Sequence, residues 1–332
     1  MAGLAHRSFA WLVILALTTG CDNVEWGGGS FVLQPPPPAI VGADTTPELD
    51  EVADSSEEPP PPLPTGPVLY AGTRTGETLT LVPMFEFRGD SVFPLTREAD
   101  APGFNAHFAQ TQLAPGSEFT VFADGVRVGT LVSNETGTSD AWCTPRPTVS
   151  GTPELVPRAA GATRFLALSR GVAPAVPHAV GAFPGAADEH RQASLRLAQT
   201  AIMRQSALWP DDLGQARADL AVTRLAGDAP PMVAATFMFR DRLAVEDPGT
   251  PVAYGLFVLG SLRADRYLLD YTWYRRVGDD GKAAPRFVQQ FDWDGDQNPE
   301  LLLEVMGTDA RWPAVLEQVD GEWSVAYEAG CS

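Results

Sequence analysis

From Ala221 to Tyr327 the chain is a succession of short runs rich in β-branched and aromatic residues, and this pattern constrains the fold most. The runs are 221–225, 232–239, 253–259, 267–274, 286–291, 301–305, 314–319 and 323–327. Tight turns such as Gly278-Asp279-Asp280-Gly281 and Asp320-Gly321 separate several of them. Strand-length apolar runs joined by short turns predict an antiparallel meander. Earlier runs at 68–71, 78–87, 118–123 and 126–132 read the same way. Asp124-Gly125 sits between the last two, and that dipeptide favours a two-residue hairpin because both turn positions need positive φ. The fold class expected is therefore mainly β (α+β): antiparallel β-meander domains with one substantial helix. That helix is placed between Ala186 and Leu208, where Leu195, Ala198, Ala201 and Ile202 recur at helical spacing and Pro210 ends the run.

The amino terminus carries a different message. His6 and Arg7 precede the apolar run Phe9–Leu17, followed by Thr18-Thr19-Gly20-Cys21. A short basic region, a brief apolar stretch and small residues before a cut site describe a secretory signal. The apolar run is too short to span a hydrocarbon core of about 30 Å. Gly20-Cys21 resembles the lipobox of bacterial prolipoproteins, although Thr18 stands where Leu is usual. That resemblance implies cleavage before Cys21 and fatty acylation of its sulfur, with a further acyl chain on the new amine. Two or three chains anchor firmly, at about 0.8 kcal/mol for each buried CH₂.

Residues 22–67 hold nine acids and no base, with Pro35–Pro38, Gly27–Gly29 and Pro59–Pro62 among them. Such a segment has too little apolar surface to offset the entropy of ordering, so a disordered, extended tether is expected. The organisation read from sequence is a signal peptide at 1–20 and a lipidated Pro-rich, acidic linker at 21–67. A small antiparallel β-domain at 68–150 follows, then an α+β domain at 151–332. The net charge of −19 disfavours nucleic acid as a partner and suits divalent cations. Cys143 and Cys331 are the two cysteines left over, and in an exported chain they are expected to pair.

One segment carries a chemical signal: Asp292-Trp293-Asp294-Gly295-Asp296-Gln297-Asn298-Pro299-Glu300. Acids at alternate positions turn inward when a chain curls around a hard cation, and Ca²⁺ takes six to eight oxygens. An EF-hand is disfavoured, because Leu303 stands where its bidentate acid belongs and Gln297 where its glycine does. With strands on both sides, the run resembles the calcium loop of the FG-GAP/VCBS repeats of integrin-type β-propellers. The resemblance implies Ca²⁺ held by Asp292, Asp294, Asp296, the Asn298 carbonyl and Glu300. It covers about 20 residues, and the irregular spacing of weaker echoes at 227–235 and 151–156 does not support a full propeller.

No catalytic motif stands out: there is no Gly-x-Ser-x-Gly, His-Glu-x-x-His or phosphate-cradling glycine loop. His190, beside Asp188 and Glu189, reads as a helix-start residue with a structural role. Tyr271, Trp273, Tyr274, Trp312 and Trp323 suit a sugar platform or a core, and the core is the commoner fate. The reading is a membrane-anchored envelope lipoprotein, non-enzymatic, with a Ca²⁺-stabilised β-rich domain that binds an envelope protein or glycan. The alternative is a hydrolase acting on cell-wall or extracellular polysaccharide.

Overall fold

The structure, a computed structural model, describes residues 60–89, 91–95, 101–172, 186–225 and 229–331. The signal segment, Cys21 and most of the 21–67 linker lie outside the described residues. The body, residues 58–332, forms one compact unit. Thr65–Pro67, the last described residues before the first strand, already belong to it: Gly66 N–H donates to Glu86 Oε1, and Phe87 N–H donates to the Pro67 carbonyl at 3.0 Å.

The first half builds a nine-stranded antiparallel sheet. Its strands are β1 (Val68–Thr75), β2 (Thr78–Arg88), β3 (Ser91–Phe93), β4 (Glu118–Ala123), β5 (Val126–Val132), β6 (Glu135–Ser139), β7 (Arg146–Gly151), β8 (Pro153–Leu155) and β9 (Arg164–Ser169). The order is β6-β7-β2-β1-β9-β4-β5-β8, with β3 paired to β2. β9 thus fills the centre of the sheet, between β1 and β4. The Asp124-Gly125 hairpin forms as expected, with φ of 48° and 70°.

Beyond the helix α2 (Asp188–Gln205) come two four-stranded meanders rather than one continuous one. The first contains β10 (Arg217–Thr223), β11 (Met232–Phe239), β12 (Tyr254–Arg263) and β13 (Arg266–Arg276). The second contains β14 (Ala284–Phe291), β15 (Glu300–Met306), β16 (Arg311–Val319) and β17 (Glu322–Glu328). The break falls where the chain turns at Val277–Asp280 and passes Gly281 at φ 77°. β14 then lies across β12 instead of beside β13. Gly255 makes that crossing close: a Cβ there would come within 3.0 Å of the Ala284 Cβ.

The layers stack with the β14–β17 sheet in the middle, and β15 shows why. Leu301, Leu303 and Val305 pack with Phe257, Leu259 and Trp273 of the first meander. Leu302 points the other way, into a cluster with Leu69, Phe85, Phe122 and Leu166 of the nine-stranded sheet. A strand buried on both faces needs a continuous apolar run, which Leu301-Leu-Leu303 supplies. The outer face of each flanking sheet takes a helix. Leu197, Ala198, Ala201 and Ile202 of α2 cover Val233, Phe237 and Val258. On the opposite side α1 (Ala101–Gln112) covers the nine-stranded sheet through Phe104 and Phe108.

The expectation of one substantial helix is corrected by α1. Its sequence, with Pro102, Gly103, Asn105 and Thr111, has weak intrinsic helicity. What holds it is burial of Phe104 and Phe108, one turn apart with ring centres 5.3 Å from each other, among Leu79, Phe119 and Val121. Two further helical turns, α3 (Leu213–Ala216) and α4 (Val277–Asp280), are short connectors. Among the described residues no helix is long and apolar enough to cross a membrane.

Cys143 and Cys331 form a disulfide, with Cα atoms 5.2 Å apart. It ties the loop after β6 to the chain end beyond β17. Around it the loop is also stitched to β16: Cys143 N–H donates to the Arg311 carbonyl, and Arg311 N–H donates to the Ala141 carbonyl.

Candidate metal centre

β14 and β15 are adjacent antiparallel strands, with Phe291 opposite Glu300, and the acidic segment is the loop between them. Trp293 fixes the loop's orientation. Its ring is buried and meets Phe85 and Phe87 of β2 at centroid distances of 5.5 and 6.1 Å. With Trp293 turned into the protein, Asp292 and Asp294 on either side are half-buried and Asp296 is exposed.

The carboxylates themselves curl the loop. Asp292 accepts from Gly295 N–H at 2.7 Å and Gln297 N–H at 3.2 Å. Asp294 accepts from Asp296 N–H at 3.0 Å, and Asp296 accepts from Asn298 N–H at 2.6 Å and Nδ2 at 3.0 Å. These are the local side-chain-to-backbone bonds by which Asp closes turns. Gly295 and Gln297 both sit at positive φ, 83° and 75°. For Gln297 that conformation is strained, which is the consequence of a non-glycine residue at this point of the loop.

The result is a cluster in which Asp292, Asp294 and Asp296 each offer an oxygen within 4.8 Å of the others. Three carboxylates this close can hold a metal ion. Glu300 stands outside this trio but feels it. It is only 8% exposed, and its one hydrogen bond from the loop is a long one, 3.5 Å, from Trp293 N–H. Burial, with the charges of Asp294 and Asp292 adding to it, pushes the Glu300 carboxyl up to about 8. Asp294 is also raised, first by burial and then by its neighbours' charge. Asp296 is lowered by the two bonds from Asn298. The Asn298 side chain serves Asp296, and neither Asn298 nor Glu300 is part of the three-carboxylate group.

The other residues singled out from sequence have structural places. His190 is buried at the start of α2, where its Nδ1 accepts from Ala187 N–H at 3.0 Å. Trp273, Trp312 and Trp323 lie in the core between the two meanders, with Tyr271 packed against it. A groove of about 350 Å³ next to the disulfide, walled by Asn105, Arg146, Tyr327 and Glu328, has no counterpart in the sequence reading. Its walls come from β7, α1 and the segment at the end of β17, far apart in the chain, so no local motif marks it. No known protein family matches this chain, and no curated protein or solved structure is similar to it.

Proposed function

We propose that this chain is a lipid-anchored envelope protein whose β-rich body is stiffened by Ca²⁺ in the 292–300 loop. In this reading the body is a non-enzymatic binding module for an envelope protein or glycan. The aspartate trio with the buried Glu300 beside it carries the calcium assignment. Asp292, Asp294 and Asp296 supply three oxygens, the Asn298 carbonyl and Glu300 complete a protein set of five, and water fills the rest of a six- to eight-oxygen shell. Such a loop suits Ca²⁺ better than Mg²⁺, which demands near-ideal octahedral geometry. The cation also offsets the charge repulsion that adds to burial in raising Asp294 and Glu300. The anchor rests on Gly20-Cys21 after the signal-like run. The hydrolase alternative gains nothing from Trp273 and Trp323, which fill a core instead of facing a substrate.

Thermal unfolding of the purified chain with and without millimolar Ca²⁺ tests the metal. Saturation at a hundred times the dissociation constant adds about 2.7 kcal/mol, a shift of several degrees. Asp294→Ala should remove that shift, and no shift in the wild type refutes the calcium reading. Intact mass of the membrane-extracted protein tests the anchor: an amino terminus other than acylated Cys21 refutes it.

A further inference from the structure

Three guanidinium groups converge on a small cavity between the nine-stranded sheet and the β14–β17 sheet. Arg164 reaches it from β9, Arg286 from β14 and Arg311 from β16, and Trp142 forms part of its wall, in a space of about 40 Å³. One carboxylate in the lining, Glu304, is shared by two of the three: Arg286 donates to its Oε2 and Arg311 to its Oε1 at 2.5 Å. Arg164 is paired by Asp219, at 2.7 and 3.0 Å. Three cations therefore meet two anions. A fourth guanidinium, Arg146, donates to the carbonyls of Pro83 and Met84 and has no carboxylate among its hydrogen-bond partners. It lies 5.3 Å from the centre of the Trp142 ring, and Arg311 lies 4.6 Å from it.

The donors are in excess as well as the charge. Among the described residues, Trp142 Nε1, Arg286 Nε and Arg311 Nε are withdrawn from solvent with no acceptor. Trp142 is only 5% exposed. Buried N–H groups without acceptors cost free energy, and the excess positive charge, carried on arginine side chains that are about a quarter exposed, adds to it; a single negative acceptor relieves both. A neutral water would accept from these groups but leave the charge excess in place. The free space, about 40 Å³, is small and suits a compact anion.

We propose that this cavity binds one monovalent anion of halide size, chloride being the ligand, held by Arg286, Arg311 and the Trp142 indole with Arg164 nearby. Because Arg164 and Trp142 come from the nine-stranded half and the other two arginines from the central sheet, the ion pins the two layers together. The site is independent of the calcium loop.

The test replaces sodium gluconate by sodium chloride at constant ionic strength while the full chain is melted. The melting temperature should rise along a saturating curve. Bromide soaked into crystals should give an anomalous peak inside the cavity. Trp142→Phe, which removes the indole N–H and keeps a smaller aromatic ring in the wall, should raise the half-saturating bromide concentration about tenfold, the loss of one charge-assisted hydrogen bond. Equal melting in chloride and gluconate overturns the proposal, as does a cavity with no bromide peak. If the variant does not fold, the anomalous map of the wild type decides.

Discussion

The Thr223 hydroxyl donates to Asp124 Oδ1 at 3.1 Å, joining the tip of the β4–β5 hairpin to the last residue of β10. The same turn is held by the central sheet, since Gln289 Oε1 accepts from Asp124 N–H at 2.8 Å. One hairpin tip thus touches all three sheets. Burial there pushes the Asp124 carboxyl up to about 6, only partly opposed by the Thr223 bond.

A carboxyl whose folded-state value is raised makes the folded protein bind its proton more tightly than the unfolded chain does. Stability from this group is therefore greatest below about 4 and falls as pH rises to about 6, after which the full penalty applies. Asp124→Asn, which tolerates the positive φ of this position, removes the penalty. The variant should gain about 1–2 kcal/mol over wild type at pH 7.5 and little or nothing at pH 4. Denaturant unfolding at the two pH values measures it, and a gain that is the same at both contradicts the assignment.

Gln297 at φ 75° leads to a second expectation. Gln297→Gly relieves a left-handed backbone strain of about 1 kcal/mol without touching a carboxylate. The variant should bind Ca²⁺ about fivefold more tightly by calorimetry if the strain is felt chiefly in the closed loop. An unchanged affinity together with unchanged stability would show that the loop bears no strain at this residue.

Phe108 anchors a helix whose own residues favour helix weakly. Phe108→Ala should cost about 3–5 kcal/mol in unfolding free energy, and amide exchange across 104–112 should accelerate more than elsewhere. Uniform acceleration over the whole body would mean that α1 is not separately held by its two phenylalanines.

Lys282, the only lysine of the chain, is buried with Asp241. Its Nζ donates to Asp241 Oδ1 and to the carbonyls of Arg242 and Glu246, at 2.9, 2.9 and 3.2 Å. All three ammonium protons are thus engaged away from water. An amine-acylating reagent should leave Lys282 unmodified in the native protein and label it fully in denaturant, as read by peptide mass. Rapid native labelling would show that this loop opens easily. Lys282→Met should cost about 3–5 kcal/mol, because Asp241 is left buried without its partner.

Much of the fold was legible in the sequence because strands and turns are local. The eight runs from Ala221 onward all became strands, and Asp124-Gly125 became the hairpin turn, where Asp tolerates and Gly favours positive φ. α2 was legible from its apolar spacing. α1 was not, because Pro102, Gly103 and Asn105 argue against a helix and only the sheet beneath Phe104 and Phe108 overrides them. The division of the meander was hidden too, since whether β14 pairs with β13 or crosses β12 depends on a contact between Gly255 and Ala284, nearly thirty residues apart.

The candidate metal site divides in the same way. The alternation of aspartates in Asp292-Trp293-Asp294-Gly295-Asp296 is a local pattern, and the trio it brings together was visible as such. That Glu300 would be buried beside it, with its carboxyl pushed up to about 8, depended on packing against the rest of the body. The arginine cavity was wholly illegible, because Trp142, Arg164, Arg286 and Arg311 are scattered over 170 residues and carry no common motif. By itself the sequence determined what short-range physics can determine: strands, tight turns and a loop of acids. Which residues lie across a layer from one another was decided only by tertiary structure, because burial and charge balance depend on neighbours that the order of the chain does not reveal.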